Sequence, residues 1–169
     1  MNASTIKNNY NSGSILLEAF ISIIVISIAF GVLFSVAALT IKTSTSIQQN
    51  DQANFLLKEA MESARNFRDG TTWATNGLGI ANTSSNNPYY FLLDTSVTPN
   101  KWTLTAGTET VGMFTRKIVF DKVSRDPSTQ NIESIYNASH DDPNTRKITA
   151  TVSWNTKTLN LVTYLTNWK

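Results

Sequence analysis

Residues 19–39 carry no charge. The run reads Ala19, Phe20, Ile21, Ser22, Ile23, Ile24, Val25, Ile26, Ser27, Ile28, Ala29 and Phe30, and continues in the same manner to Leu39. The hydrocarbon core of a bilayer takes roughly 20 helical residues, so a stretch of this length can cross one. Its flanks differ. Ahead of Glu18, Lys7 and the terminal amine precede the run with no acid among them, whereas Lys42 is soon followed by Asp51 and Glu59. The excess of positive charge on the leading side predicts a cytoplasmic N-terminus, with the remainder of the chain on the far side of the membrane.

The residues beyond the run suffice for one modest globular unit, since the chain has 169 residues in all and a domain takes ~100–200. There is no cysteine, so the exported portion has to be stabilised by packing and not by disulfides. The net charge of +2 is too small to imply a polyanionic partner. Arg116, Lys117, Lys122, Arg146 and Lys147 are interleaved with strand-like apolar residues and read as a solvated face. Nothing in this pattern calls for nucleic acid.

Residues 1–13 are polar, rich in Asn and Ser, and without apolar periodicity, which predicts little structure of their own. A helix is expected to begin near Ser14 and to run through the apolar span, because no proline appears before Pro88. Beyond Leu39 the pattern becomes amphipathic, with Ile47, Phe55, Leu56, Ala60, Met61, Ala64 and Phe67 at helical spacings. The same helix is therefore expected to continue and to stop near Asp69-Gly70, a turn dipeptide. Residues 71–87 read as a long polar connection. Strands are expected over 89–93, 101–105 and 113–123, where Phe114, Ile118 and Phe120 share one parity. The clearest strand is 146–154, in which Ile148, Ala150, Val152 and Trp154 alternate with polar residues. A short turn at Asn155, Thr156 and Lys157 leads into 158–166, predicting an antiparallel hairpin. Residues 124–145, with Pro127, Pro143 and Asp141-Asp142, read as a surface loop. An amphipathic helix and a one-faced sheet each need a cover and can cover each other, so the fold class is α+β. The expected divisions are 1–13, 14–41 for the apolar helix, 42–69 for its amphipathic continuation, and 70–169 for the β domain.

The segment Gly13-Ser14-Ile15-Leu16-Leu17-Glu18, leading straight into the apolar run, resembles the cleavage motif of type IV prepilins and pseudopilins. The resemblance implies that residues 1–13 are a leader, that prepilin peptidase cuts after Gly13, and that the new amine of Ser14 is methylated. It also implies that Glu18, at the fifth mature position, pairs with the Ser14 amine of a neighbouring subunit and sets the axial register of a filament. Further partners are implied as well: the other pilin or pseudopilin subunits and an inner-membrane assembly platform. A small residue before the cut admits a protease, and cutting on the polar side retains the apolar helix as an anchor, unlike a secretory signal. An acid beside a lipid-embedded segment is costly, up to ~3 kcal/mol at mid-bilayer. Glu18 therefore needs a reason, either this pairing or a place at the headgroup level in the first turn, where the helix dipole favours an anion. Ser14 stands where the family usually has phenylalanine or methionine, Ser12 where a basic residue is frequent, and Ser35 where major pilins commonly carry a proline. The missing proline and missing cysteine pair lean toward a minor pilin or pseudopilin.

The chain offers one histidine and no cysteine, so neither a Cys-His nucleophile nor a zinc cage is available, and no serine-centred or phosphate-binding motif is present. No enzymatic activity and no cofactor are expected. His140-Asp141-Asp142 with Asn144 could supply oxygen ligands to calcium but lack the EF-hand spacing and read first as a solvated turn. Trp154, Tyr164 and Trp168 read as core or rim aromatics. The expectation is a filament subunit of a pilus, secretion or competence system, held in the cytoplasmic membrane and then in an extracellular or periplasmic filament. Two alternatives remain: an uncleaved membrane-tethered binding module that uses the loops at 71–99 and 124–145, and a soluble protein cut near Ala37.

Overall fold

With no proline ahead of Pro88, the apolar and amphipathic patterns join into one helix, α1 (Ser12–Gly70). The computed structural model describes residues 12–168. The expected leader, Lys7 included, lies outside the described residues as far as residue 11. Its last two residues, Ser12 and Gly13, are helical, so α1 starts ahead of Ser14. The first N–H groups of a helix have no intrahelical acceptor to reach, so the extra residues cost only backbone entropy. After α1 come β1 (Tyr89–Asp94), β2 (Lys101–Ala106), β3 (Glu109–Val111), β4 (Phe114–Ser124), β5 (Asp141–Trp154) and β6 (Lys157–Thr166). Short 3-10 helices lie at Leu78–Ile80 and Ala138–His140. The α+β class expected from the sequence is the one observed.

The described residues divide into two compact units, one ending at Gln48 and the other beginning at Gln49. In the first, residues 13–45 are helical and exposed throughout. This stretch holds one segment long and apolar enough to cross a membrane.

The second unit sets the remainder of α1 against an antiparallel sheet of order β2-β1-β4-β5-β6, with β3 also on β4. The buried stripe of the helix is Ala53, Leu56, Leu57, Ala60, Met61, Ala64 and Phe67. These positions recur every three or four residues and so share one face. They meet the inward parity of the sheet, Phe114, Ile118 and Phe120 on β4 and Ile148, Ala150, Val152 and Trp154 on β5. Phe55, expected in the stripe, is 67% exposed. At 100° per residue it lies about 200° round from Ala53, on the opposite face. Ile47, in the first unit, is also exposed.

The hairpin expected at the C-terminus is present, with Trp154 opposite Lys157 and Asn155 in the left-handed region at φ 48°, a conformation asparagine tolerates better than most residues. β6 forms one edge of the sheet, and only Leu165 on it is buried. Residues 141–145, expected in the surface loop, instead belong to β5. Pairing resumes beyond an irregularity at Lys122/Val123, where Val123 faces Asp142, and a bulge of this kind accommodates Pro143 without loss of a ladder bond. β3 was not expected. It shares one edge of β4 with its neighbours: Glu109, Thr110 and Val111 pair with Arg116, Thr115 and Phe114, Tyr89 of β1 pairs with Ile118, and Thr83 bridges to Phe120.

A larger correction concerns charge. Arg116 and Arg146, expected on a solvated face, are 5% and 6% exposed. Arg116 has the parity of Phe114 and Ile118, and Arg146 that of Ile148, so both point toward the helix side. The Arg116 guanidinium is offset by Glu109 Oε2, which accepts from Nε at 2.9 Å and Nη2 at 2.5 Å, by Glu59 Oε2 at 3.2 Å, and by the Leu56 carbonyl, which accepts from Nη1 at 3.2 Å. Arg146 donates to the carbonyls of Gly79 at 2.9 Å and Thr145 at 3.0 Å, and lies 5.9 Å from the Trp73 ring centroid. Removing one member of a buried ion pair strands the other. Arg116→Ala is expected to destabilise the second unit by about 3 kcal/mol, against under about 1 kcal/mol for the partly exposed Leu161→Ala. Equilibrium denaturation followed by near-ultraviolet circular dichroism measures both, and equal effects would contradict the assigned role of Arg116.

Candidate functional site

The residues of the resemblance lie at the head of α1. Gly13 and Ser14 are in its first turn. Glu18 follows Ser14 by four residues, which places the two on one face about 6 Å apart along the axis at 1.5 Å per residue. All three positions are exposed. Because α1 begins at Ser12, Glu18 falls beyond the first turn of the intact chain, which has no acidic residue. Glu18 is also the only acid ahead of Asp51.

From Ile15 to Ile41 the large apolar side chains are exposed on every side of the helix, among them Leu16, Phe20, Ile24, Ile28, Leu33 and Leu39. No water-facing stripe interrupts them, which is the surface of a helix that meets lipid or other helices. The hydroxyls within the run are satisfied internally. Ser22 donates to the Glu18 carbonyl at 2.8 Å, Ser27 to Ile23 at 2.7 Å, Ser35 to Gly31 at 2.8 Å and Thr40 to Val36 at 2.9 Å. Each is an i to i−4 bond, so these side chains present no unmet donor to an apolar surrounding. Gly31 has open space where a Cβ would stand, and no packing among the described residues demands a glycine there.

In the second unit, the acidic turn considered for calcium is occupied by the protein's own donors. Asp142 Oδ2 accepts from Arg125 Nε at 2.6 Å and Thr145 Oγ1 at 2.7 Å, and Oδ1 from the Asn144 backbone N–H at 3.0 Å. Asp141 accepts from the Tyr136 hydroxyl at 2.9 Å. Glu133 Oε1 lies 2.9 Å from His140 Nδ1. Among the described residues, no group of three His, Cys, Asp or Glu side chains could hold a metal ion. The cluster is a clasp: Asp142 fastens Arg125, at the start of the long loop, to β5. Arg125 carried no signal in the sequence, because its partner lies 17 residues away across a loop.

No family model, curated protein or solved structure matches the chain. A long apolar N-terminal helix whose later part packs on an antiparallel sheet is nonetheless a pilin-like arrangement of elements.

The clasp has a pH signature. Burial pushes the Asp142 carboxyl up, but the bonds from Thr145, Arg125 and the Asn144 N–H outweigh it and hold the group below its ordinary value of 3.8. A depressed folded pKa contributes stability that is present above the unfolded value and lost as pH falls through the folded one. The thermal midpoint of the second unit should therefore drop more steeply below about pH 4 in the wild type than in Asp142→Asn, which is already weakened at neutral pH. Parallel pH profiles of the two proteins would exclude this role.

Proposed function

We propose that the chain is a structural subunit of a type IV pilus or a related secretion or competence pseudopilus. In this reading prepilin peptidase cuts after Gly13, Ser14 becomes the methylated N-terminus, and the chain waits in the cytoplasmic membrane with its globular unit outside. An inner-membrane assembly platform then adds it to a filament built from this and other pilin subunits. The observation that carries the proposal is the sequence Gly13-Ser14 and Glu18 at the head of a helix that is apolar on all sides.

The physical logic is one of solvent exchange. An all-round apolar helix is stable in lipid, and it is equally stable when lipid is replaced by the apolar helices of its neighbours. Small residues such as Ala19, Ser22, Ala29 and Ser35 allow close approach between such helices, and the internal hydroxyl bonds leave no donor stranded in either setting. A lone acid in this surface favours a cationic partner, and a freed Ser14 amine of an adjacent subunit supplies one.

Intact mass and N-terminal sequencing of the protein recovered from membranes that contain a prepilin peptidase test the processing step. A chain starting at Ser14 with a methylated amine is expected. A chain starting at Met1 would favour the uncleaved tethered module, and one starting near Ala38 a secreted protein. Assembly is tested separately: Glu18→Ala should insert normally yet fall at least about tenfold in filament incorporation, measured by sedimentation of sheared filaments. The factor corresponds to one lost charge pair in an apolar setting. Normal incorporation of Glu18→Ala would remove the pairing role.

A further inference from the structure

The geometry points to a binding site for a neutral pyranose in the crevices that flank Trp102, where α1 ends beneath the β1–β2 hairpin. Two crevices, of about 590 and 490 Å³, share Phe67, Thr71, Lys101 and Trp102 as lining residues. Each lies within the range of small-molecule pockets, roughly 300–1,000 Å³. Trp102 lines both from β2, opposite Leu93 in the register, on the same face as Phe91 and Leu104, and packed in part against the core. It is only half-buried, unlike Trp73 and Trp154.

The chemistry of the lining selects the ligand. Trp102 offers an aromatic face, which attracts the slightly positive C–H groups of a sugar ring through its negative quadrupole. Neutral hydrogen-bonding groups share the lining: Asn100 in the smaller crevice, Asn76 in the larger, and Thr71 in both. The Trp102 indole N–H and the Asn100 amide have no hydrogen-bond partner among the described residues, so they are available as donors. Asn76 uses its carbonyl oxygen to hold the Thr72 backbone N–H at 2.8 Å, which fixes the amide and leaves its N–H₂ to a ligand. In the larger crevice the charges cancel, and in the smaller one Lys101 is the one charged residue. Asp94 lies opposite Lys101 in the β1–β2 register, and its carboxylate already accepts from Ser96 N–H at 2.9 Å and Oγ at 2.6 Å. A phosphate or an acidic peptide would meet no net positive field in the larger crevice and a single lysine in the smaller, and a purely apolar side chain would leave the amides unmet. A ring with one apolar face and an edge of hydroxyls satisfies both.

The test uses the full-length chain in phosphatidylcholine nanodiscs, which carry no sugar headgroups. It is titrated by calorimetry and tryptophan fluorescence with glucose, galactose, N-acetylglucosamine and a linear oligomer of each. Saturable binding of at least one is expected, weakened about tenfold by Asn100→Ala and again by Trp102→Ala, the scale of one lost hydrogen bond or stacked face. Asn100 is exposed, so its variant keeps the wild-type melting transition and remains informative should Trp102→Ala unfold. Tighter binding of an oligomer than of its monomer identifies a glycan chain as the ligand, and equal binding identifies the single sugar. No response to any of these sugars overturns the assignment, as does binding that both variants leave unchanged. Uptake of an apolar dye without any sugar response overturns it in favour of a groove for an apolar side chain. Neither Ser14 nor Glu18 enters this experiment, so its failure would leave the filament reading intact.

Discussion

The contact between the Ala53–Phe67 stripe of α1 and the inward faces of β4 and β5 is the interaction on which the second unit depends. Phe114, Ile118, Phe120, Ile148 and Val152 are almost fully buried there, and each apolar side chain taken from water is worth about 1.5–3 kcal/mol. With no cysteine in the chain, no disulfide supplements that packing. Everything placed around the sheet, from the β1–β2 hairpin to the loop after β4, is positioned by how helix and sheet close on one another. The Phe67–Phe91 ring contact, with centroids 5.4 Å apart, carries that order outward to the hairpin and so to Trp102.

Two arginines inside this core look at first like a cost. Charges withdrawn from water recover their solvation only through good geometry; Arg116 has it in full, whereas Arg146 relies on backbone carbonyls and leaves its Nε buried without a hydrogen-bond partner among the described residues. Arg116 joins three separate segments, helix, β3 and β4, through Glu59, Glu109 and the Leu56 carbonyl. Arg146 does the same for the polar connection after α1. That connection is held further by the Trp73 indole N–H, which donates to the Pro143 carbonyl at 3.0 Å. Gly79 packs so closely that an added Cβ would stand 2.6 Å from the Trp73 carbonyl oxygen. Polar groups thus specify the path of a segment whose composition of Ser, Thr, Asn and Gly would otherwise leave it free.

Much of this was legible in the residues. The helix, its end at Gly70, and the pairing of β5 with β6 reflect periods of 3.6 and 2 that the sequence displays openly. The buried arginines were legible too, because Arg116 and Arg146 keep the parity of their apolar neighbours; charge type overrode position in the reading of that face. β3 was not legible: three residues, Glu109–Val111, show no period, and they form a strand only because β4 leaves an edge to be met. The Asp142 clasp and the Trp102 crevices depend on residues distant in the chain, and local pattern does not encode such meetings. At the head of α1 the motif itself was plain in the sequence, and its surroundings added the exposed, self-satisfied surface on which it sits.

The hydroxyl bonds along the apolar run also shape how α1 responds to force. The carbonyls of Glu18, Ile23, Gly31 and Val36 each receive a side-chain donor at positions where the helical ladder also supplies a backbone one. Bonds of this kind loosen and bend helices slightly. They also mean that, at four levels of α1, a turn can open under tension while its carbonyl keeps a partner. A helix without proline thereby acquires compliance: where a turn opens, the carbonyl stays partnered and only the released backbone N–H is left to find an acceptor.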